Sequence, residues 1–302
     1  MQNCASVEVA PVTYDIVHTT RYEYGESLSV SHHLAHLSPR VLPHQDCLHH
    51  ELHIEPAPAV TRTRLDYFGN AMTFFVMEGA HKGLSVRARS RVVIRPASRP
   101  VPAGTPPWEA GRDHDVLPLD AIECVFDSTS IQATEELAAY ARPSFPPERP
   151  VLEAAIELTR RIHEDFTFDP QATTVGTPLS EVFRLRRGVC QDFARLEIAC
   201  LRSLGLAAHY VSGYLETVLP AGTPRLTGAD ASHAWLAVYC PGIGWIDVDP
   251  TNNLLLSTRH VTLAWGRDYG DVSPLRGVML GGGNHSLQVN VDVVRVAEES
   301  PS

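Results

Sequence analysis

The run Arg186-Arg-Gly-Val-Cys-Gln-Asp-Phe-Ala-Arg-Leu-Glu-Ile-Ala-Cys-Leu-Arg-Ser-Leu-Gly205 decides how the rest of the chain is read. Its apolar residues Val189, Phe193, Leu196, Cys200 and Leu204 are spaced by four, three, four and four positions, which sets them along one face of an amphipathic helix. Gly188 before the pattern and Gly205 after it supply a turn into the helix and a left-handed C-terminal cap. Cys190 then falls in the first turn, where unpaired backbone N–H groups and the positive dipole end favour a thiolate, the nucleophilic form of cysteine. A lone cysteine at a helix start is more often core filler than nucleophile. A second segment changes that reading.

This segment is Asp230-Ala-Ser-His-Ala-Trp-Leu-Ala-Val-Tyr-Cys-Pro-Gly-Ile-Gly-Trp-Ile-Asp-Val-Asp-Pro-Thr-Asn-Asn253. His233, Trp235, Ala237 and Tyr239 alternate with Ala234, Leu236, Val238 and Cys240, as on a strand. Pro241-Gly-Ile-Gly244 is turn chemistry, and alternation resumes from Trp245 to Asp249, so the two runs form an antiparallel hairpin. With a loop spanning Cys240 to Gly244, Tyr239 faces Trp245 and opposed residue numbers sum to 484. Asp249 then stands opposite Trp235 and diagonal to His233, about 7 to 8 Å away between backbones and within reach of an imidazole. Asp247 shares the face two residues further off and is the fallback.

Cysteine, histidine and aspartate in this order suit a thiol triad: imidazole takes the thiol proton and later protonates the leaving group, while the carboxylate fixes its tautomer. The runs Gly188-Val-Cys-Gln-Asp-Phe-Ala194, Val211-Ser-Gly-Tyr214, Ser232-His-Ala-Trp235 and Asp249-Pro-Thr-Asn252 together resemble the bacterial transglutaminase-like superfamily, whose members are often described as cysteine proteases. The resemblance implies Cys190 as nucleophile, His233 as base and Asp249 as third member, the same three that the hairpin register selects. It also implies the fold: α+β, with a papain/transglutaminase-like domain whose nucleophile sits at a helix N-terminus packed on an antiparallel sheet.

The 302 residues correspond to about two domains, and 44% hydrophobic residues support ordinary cores. A formal charge of −10, from 35 acidic against 25 basic side chains, argues against nucleic acid as a partner. No secretory leader pattern opens the chain and no apolar run approaches the roughly 18 residues of a membrane helix, so a cytoplasmic, membrane-free protein is expected. Six scattered cysteines without a Cys-x-x-Cys pair fit reduced thiols.

From 13 to 95, short β-branched and aromatic runs at Tyr14–Tyr24, Leu48–Ile54, Met72–Met77 and Leu84–Ile94 predict an antiparallel β-sandwich domain after a tail over 1–12. Tyr67-Phe-Gly-Asn70 and the closing Ser90-Arg-Val-Val-Ile94 resemble the N-terminal β domain of bacterial members of the family. Arg87, Arg89, Arg91 and Arg95 read as a solvated strand face. Seven histidines between His32 and His53, with Cys47 and Glu51, lack the closing pair of a finger-like metal site, so no metal is expected. Prolines at 96, 100, 102, 106 and 107 mark 96–108 as an interdomain linker, leaving 109–302 as the catalytic domain with a C-terminal strand. Helices are predicted over Thr134–Arg142, Val151–Phe166 and Ser180–Arg187, and the loop Val218–Asp230 is expected to border the cleft.

The expected chemistry is acyl transfer from a peptide or amide bond through an acyl-enzyme, hydrolytic before amine-transferring, with a peptide or protein as the partner and no cofactor. The N–H of Cys190 is an oxyanion donor. Gln191, Trp235, Asp247 and Tyr214 are candidate pocket residues. The calcium requirement of animal relatives is not carried over, because no aspartate-rich calcium loop is evident. The competing readings are a transglutaminase proper and a non-catalytic binding module, and oligomeric state is left open.

Overall fold

The computed structural model describes residues 10–217 and 232–296. Strand β1 (Val12–Ala35) pairs along its length with β4 (Ala71–Ile94), each 24 residues long. The runs at 72–77 and 84–94, expected as separate strands, are one continuous strand. Gly79 explains the join: its φ of +87° and the register shifts between Glu23 and Val30 make a bulge at which both strands bend. On the far side of β4 lie β2 (Gln45–Glu55) and then β3 (Val60–Leu65).

The six-stranded sheet is completed from the other end of the chain. Strands β12 (Leu275–Gly281) and β13 (His285–Arg295) pair with the two halves of β1. The sheet folds on itself, and Leu28, Phe75 and Met77 from one half share a core with Leu84, Val86 and Ala88 from the other, giving the sandwich. The exposed arginines are paired, Arg91 with Asp15, Arg95 with Asp46 and Arg89 with Glu51.

Between these ends run the short helix α1 (Leu119–Ile122), α2 (Glu135–Ala141), α3 (Val151–Asp165), β5 (Thr167–Phe168), α4 (Leu179–Leu185), β6 (Arg187–Gly188) and α5 (Cys190–Ser203). An antiparallel sheet in the order β10-β9-β8-β7-β11 follows, built from β7 (Ala208–Leu215), β8 (Ser232–Cys240), β9 (Gly244–Asp249), β10 (Leu254–Leu255) and β11 (His260–Gly266), with α6 (Tyr269–Val272) after it. The segment expected as a linker is pinned: Val151 donates to the Pro106 carbonyl, Trp108 to that of Arg149, and Arg99 to that of Leu256.

Helix α5 is buried on nearly all sides rather than along one face, because α2, α3, α4, β7 and β8 surround it. Its buried cations are met by carbonyls: Arg202 donates to Ala208 and Arg267, and Arg195 to Ser130. One continuous core joins α3, α5 and the five-stranded sheet to Tyr14, Ile16, Val92, Val291 and Val293 of the six-stranded sheet. The two units are therefore packed into each other, and the thiol lies where they meet.

Candidate active site

Cys190 is the first residue of α5. Val189 precedes it in extended conformation, and the Asp192 carboxylate turns back to accept from the Val189 N–H at 3.1 Å and from the Thr173 hydroxyl at 2.6 Å. Gly188 is required here, since a Cβ on it would sit 2.6 Å from that carboxylate. The N–H groups of Cys190 and Gln191 have no acceptor among the described residues, whereas those of Asp192 and Phe193 bond to the Val189 carbonyl. Two free donors thus flank the sulfur.

His233 hydrogen-bonds Asp249 and shares a cavity with Cys190, whose thiol acts on the imidazole electrostatically. Its Nε2 lies 2.7 Å from Asp249 Oδ2, which leaves Nδ1 for the sulfur. The hairpin has the register read from the sequence: Tyr239 opposes Trp245 and Leu236 opposes Val248. Asp249 Oδ1 accepts from the N–H groups of Thr251 and Asn252 at 3.0 and 3.2 Å, and Asn252 Nδ2 reaches Oδ2 at 2.8 Å. The Asp-Pro-Thr-Asn motif is therefore a turn that aims its own carboxylate. Burial opposes the charge on Asp249, but the bonds from His233 and His260 outweigh it and hold the carboxyl below its ordinary range. Burial also opposes protonation of His233, and the bond to Asp249 with the nearby thiol of Cys190 again wins, raising its pKa to about 10.

Asp247 belongs to a different contact. It accepts the indole N–H of Trp235 at 2.7 Å, and burial raises its pKa to about 6. Trp235 is fully buried and does not wall the cavity; it stacks behind His233 with ring centroids 5.9 Å apart. Gly213, opposite His233 in the sheet, makes this possible, because a Cβ there would stand 2.5 Å from the indole. Tyr214 lies outside the cavity wall as well, its hydroxyl 2.9 Å from His18 Nδ1.

The cavity over Cys190 and His233 measures about 190 Å³ and takes in Gln191, Tyr210, Tyr269 and Leu275. Its opposite wall comes from the six-stranded sheet, with His18, Thr20 and Tyr22 on β1 beside Leu287 and Val289 on β13. These residues, and Tyr210, were not singled out from the sequence. Burial raises the Tyr210 pKa well above the ordinary phenol value, with the adjacent thiol adding to the effect, so it keeps its proton as a donor. The loop expected to border the cleft, 218–230, falls outside the described residues.

His233, Asp249 and His260 bring three possible metal-ligand atoms within 4.8 Å of one another. All three are engaged in hydrogen bonds, and a metal there would take the Nε2 that His233 turns to Asp249. The histidines at 32–53 are dispersed, His36 on Asp66, His50 on Ser90 and His53 on Glu55. No helix among the described residues is long and apolar enough to cross a membrane.

A cysteine opening a buried helix, facing a histidine and an aspartate on adjacent strands of an antiparallel sheet, defines the papain- and transglutaminase-like class of fold. The chain belongs to the transglutaminase-like superfamily: residues 138–250 match that family's model, and residues 14–93 match the bacterial transglutaminase-like N-terminal region. An uncharacterised protein of Mycobacterium tuberculosis H37Rv is 41% identical over 289 residues, 93% of this chain and 92% of that one. A protein-glutamine gamma-glutamyltransferase of Pseudomonas aeruginosa is 36% identical over 122 residues, 39% of this chain and 17% of that one. A crystal structure of a "putative cysteine protease" from Cytophaga hutchinsonii superposes with a TM-score of 0.76 at 20% identity, over 97% of this chain and 94% of that one, which shows the shared fold.

Proposed function

We propose that this protein is a thiol enzyme that cleaves peptide or amide bonds through an acyl-enzyme on Cys190. The observation that carries the proposal is the imidazole of His233 held by the buried Asp249 in the cavity that Cys190 lines. Cys190 gives its proton to Nδ1, and the thiolate attacks the carbonyl carbon. The developing oxyanion meets the unpaired N–H groups at the start of α5. The imidazolium then protonates the departing amine, and water releases the acyl group. Asp249 keeps Nε2 as the proton-bearing nitrogen throughout.

Amine transfer is the second reading, favoured by the similarity to the Pseudomonas glutamyltransferase over 122 residues. A binding module would have no use for a polar trio assembled at this cost in buried charge. We place the protein in a reducing compartment, the cytoplasm, because Cys47, Cys124, Cys190, Cys200 and Cys240 are all free thiols.

The test is the rate of Cys190 alkylation by iodoacetamide against pH, read by peptide mass mapping, in wild type and His233→Ala. Fast labelling well below pH 8.5 that the substitution abolishes is the expected result. An ordinary thiol profile, the same in both proteins, rejects the thiol-enzyme reading. With labelling established, release of free peptide or ammonia in excess of amine incorporation separates hydrolysis from transfer.

A further inference from the structure

The wall of the cavity contributed by the six-stranded sheet ends in an open edge. Among the described residues, no strand pairs with the outer side of β13 at Leu287 and Val289. Its eleven residues, His-Ser-Leu-Gln-Val-Asn-Val-Asp-Val-Val-Arg, carry no lysine, proline or bulge, the usual devices that blunt an edge against added strands. Leu287 and Val289 are apolar and 55% and 46% exposed, and both side chains line the cavity that holds Cys190 and His233.

The ladder fixes which backbone groups point outward. Opposed residues of β1 and β13 sum to 309 along the whole strand, and hydrogen bonds at both ends mark the bonded pairs: Val296 N–H donates to the Thr13 carbonyl, and Gly25 N–H to that of Asn284. Pairs alternate between bonded and non-bonded in an antiparallel ladder. Thr20 with Val289 and Tyr22 with Leu287 are therefore non-bonded pairs, and the N–H and C=O groups of Leu287 and Val289 face the free edge. None of these four groups has a partner among the described residues. The same two residues thus present open backbone donors and acceptors to the edge and apolar side chains to the cavity of the thiol.

We infer that the polypeptide substrate is held in extended form as an added strand along β13 at Leu287 and Val289, its alternate apolar side chains lying in the cleft beside Cys190. This inference rests on the thiol-enzyme reading and narrows the substrate class to an extended peptide segment rather than a small free amide. Main-chain bonds supply affinity in such an arrangement, and the side-chain pockets supply selectivity. Continuity of the edge with the cavity is the reason for choosing a substrate over a second copy of the chain.

The experiment compares rates of covalent labelling at Cys190. An acetylated tetrapeptide chloromethyl ketone with leucine at alternate positions is set against the acetylated single-residue chloromethyl ketone with the same last residue, and iodoacetamide reports intrinsic thiol reactivity. In wild type the tetrapeptide is expected to react about tenfold faster than the single residue, the effect of one or two main-chain hydrogen bonds. Val289→Pro removes an outward N–H and leaves the β1 ladder intact. It should bring the two labels to within about twofold, each rate taken relative to iodoacetamide in the same variant, while Val289→Ala retains most of the advantage. N-methylation of alternate amides in the tetrapeptide should have the same effect on unaltered protein, which covers a proline variant that fails to fold. No tetrapeptide advantage in wild type, or one that survives both changes, overturns the edge proposal. A sedimenting dimer that Val289→Pro converts to monomer assigns the edge to a second copy and overturns it too. Retained labelling with no turnover of any amide counts against the enzymatic reading alone, and a Cys190 that no label reaches rejects both.

Discussion

His260 gives its Nε2 proton to Asp249, at 3.3 Å, on the same carboxylate oxygen that His233 holds at 2.7 Å. The tautomer follows from the other nitrogen: the Ser257 N–H donates to His260 Nδ1, so the ring proton is on Nε2. Burial lowers the His260 pKa and keeps this imidazole neutral. His260 is thus a positioning residue that fixes the carboxylate that fixes the base. His260→Ala should lower kcat/KM about tenfold or more, with Cys190 alkylation retained, and His260→Gln, which restores an N–H donor, should recover most of the loss. Wild-type kcat/KM in the alanine variant would remove this role.

Asp249 sets the pH range of the pair. Its carboxylate helps to raise the His233 pKa from 6.5 to about 10, so this stabilisation is complete below about pH 6.5 and is lost as pH rises through about 10. For Asp249 itself the sign is opposite: its pKa is depressed, so its contribution is present above the ordinary carboxylate value and is lost on acidification below it. Asp249→Asn removes the charge and returns His233 toward its ordinary value. The alkaline limb of kcat/KM should move down by at least about one pH unit, and kcat should fall roughly 10³- to 10⁴-fold, the cost of a disoriented imidazole. An unshifted limb would show that the carboxylate does not control the imidazole.

Gly213 is the residue that lets Trp235 support His233. A Cβ at this position would fall 2.1 Å from the Val261 carbonyl oxygen and 2.5 Å from the indole. Gly213→Ala should destabilise the fold by about 2 to 3 kcal/mol, the cost of overpacking a dense core, and should slow Cys190 alkylation by displacing the ring behind the base. Urea unfolding measures the first effect and iodoacetamide the second. An alanine variant as stable and as reactive as wild type would mean that β7 and β11 separate freely at this point.

What the sequence discloses about this site depends on how local the determining contact is. Cys190 at a helix start and the hairpin register that sets Asp249 diagonal to His233 follow from spacing within one helix and one hairpin, and the structure has that helix start and that Tyr239–Trp245 register. His260 is hidden because its contact with Asp249 needs the chain to turn through β10 and return as β11 on the far side of β7. Nothing in the period of that strand marks one histidine out. Tyr210 is hidden for a similar reason: on a strand as apolar as β7, a buried tyrosine at a cavity and one in a core have the same pattern. Leu287 and Val289 alternate with Gln288 and Asn290 as on any half-buried strand, and only the pairing with β1 places them opposite the thiol. The all-round burial of α5 was also invisible, because Asp192, Arg195, Glu197 and Arg202 read as a wet face until their carbonyl, N–H and hydroxyl partners are known.

One member of that face makes a further prediction. Glu197 is fully buried in α5, with Oε1 2.7 Å from the Thr159 hydroxyl and Oε2 without a partner. The Thr159 oxygen also lies 2.9 Å from the Ala155 carbonyl, and a hydroxyl has a single proton. If that proton goes to Ala155, Glu197 must itself donate to Thr159. Burial, reinforced by the nearby Asp249 charge, raises its pKa from 4.5 to about 8, so the carboxyl is mostly neutral at pH 7. An acid with a raised folded-state pKa loses stability as pH climbs, here from about 4.5 to about 8, at roughly 1.4 kcal/mol per pH unit and with no further loss above. Glu197→Gln keeps a donor for Thr159 and cannot ionise. The two proteins should match within about 1 kcal/mol at pH 5 and diverge steadily to pH 8, the glutamine variant becoming the more stable. Urea midpoints measured at half-unit intervals test this directly, because every other titration cancels in the difference. Parallel stability profiles would place the ionised carboxylate in the fold, and the unpaired Oε2 would then need a cation within reach that the packing of α3, α5 and β9 does not supply.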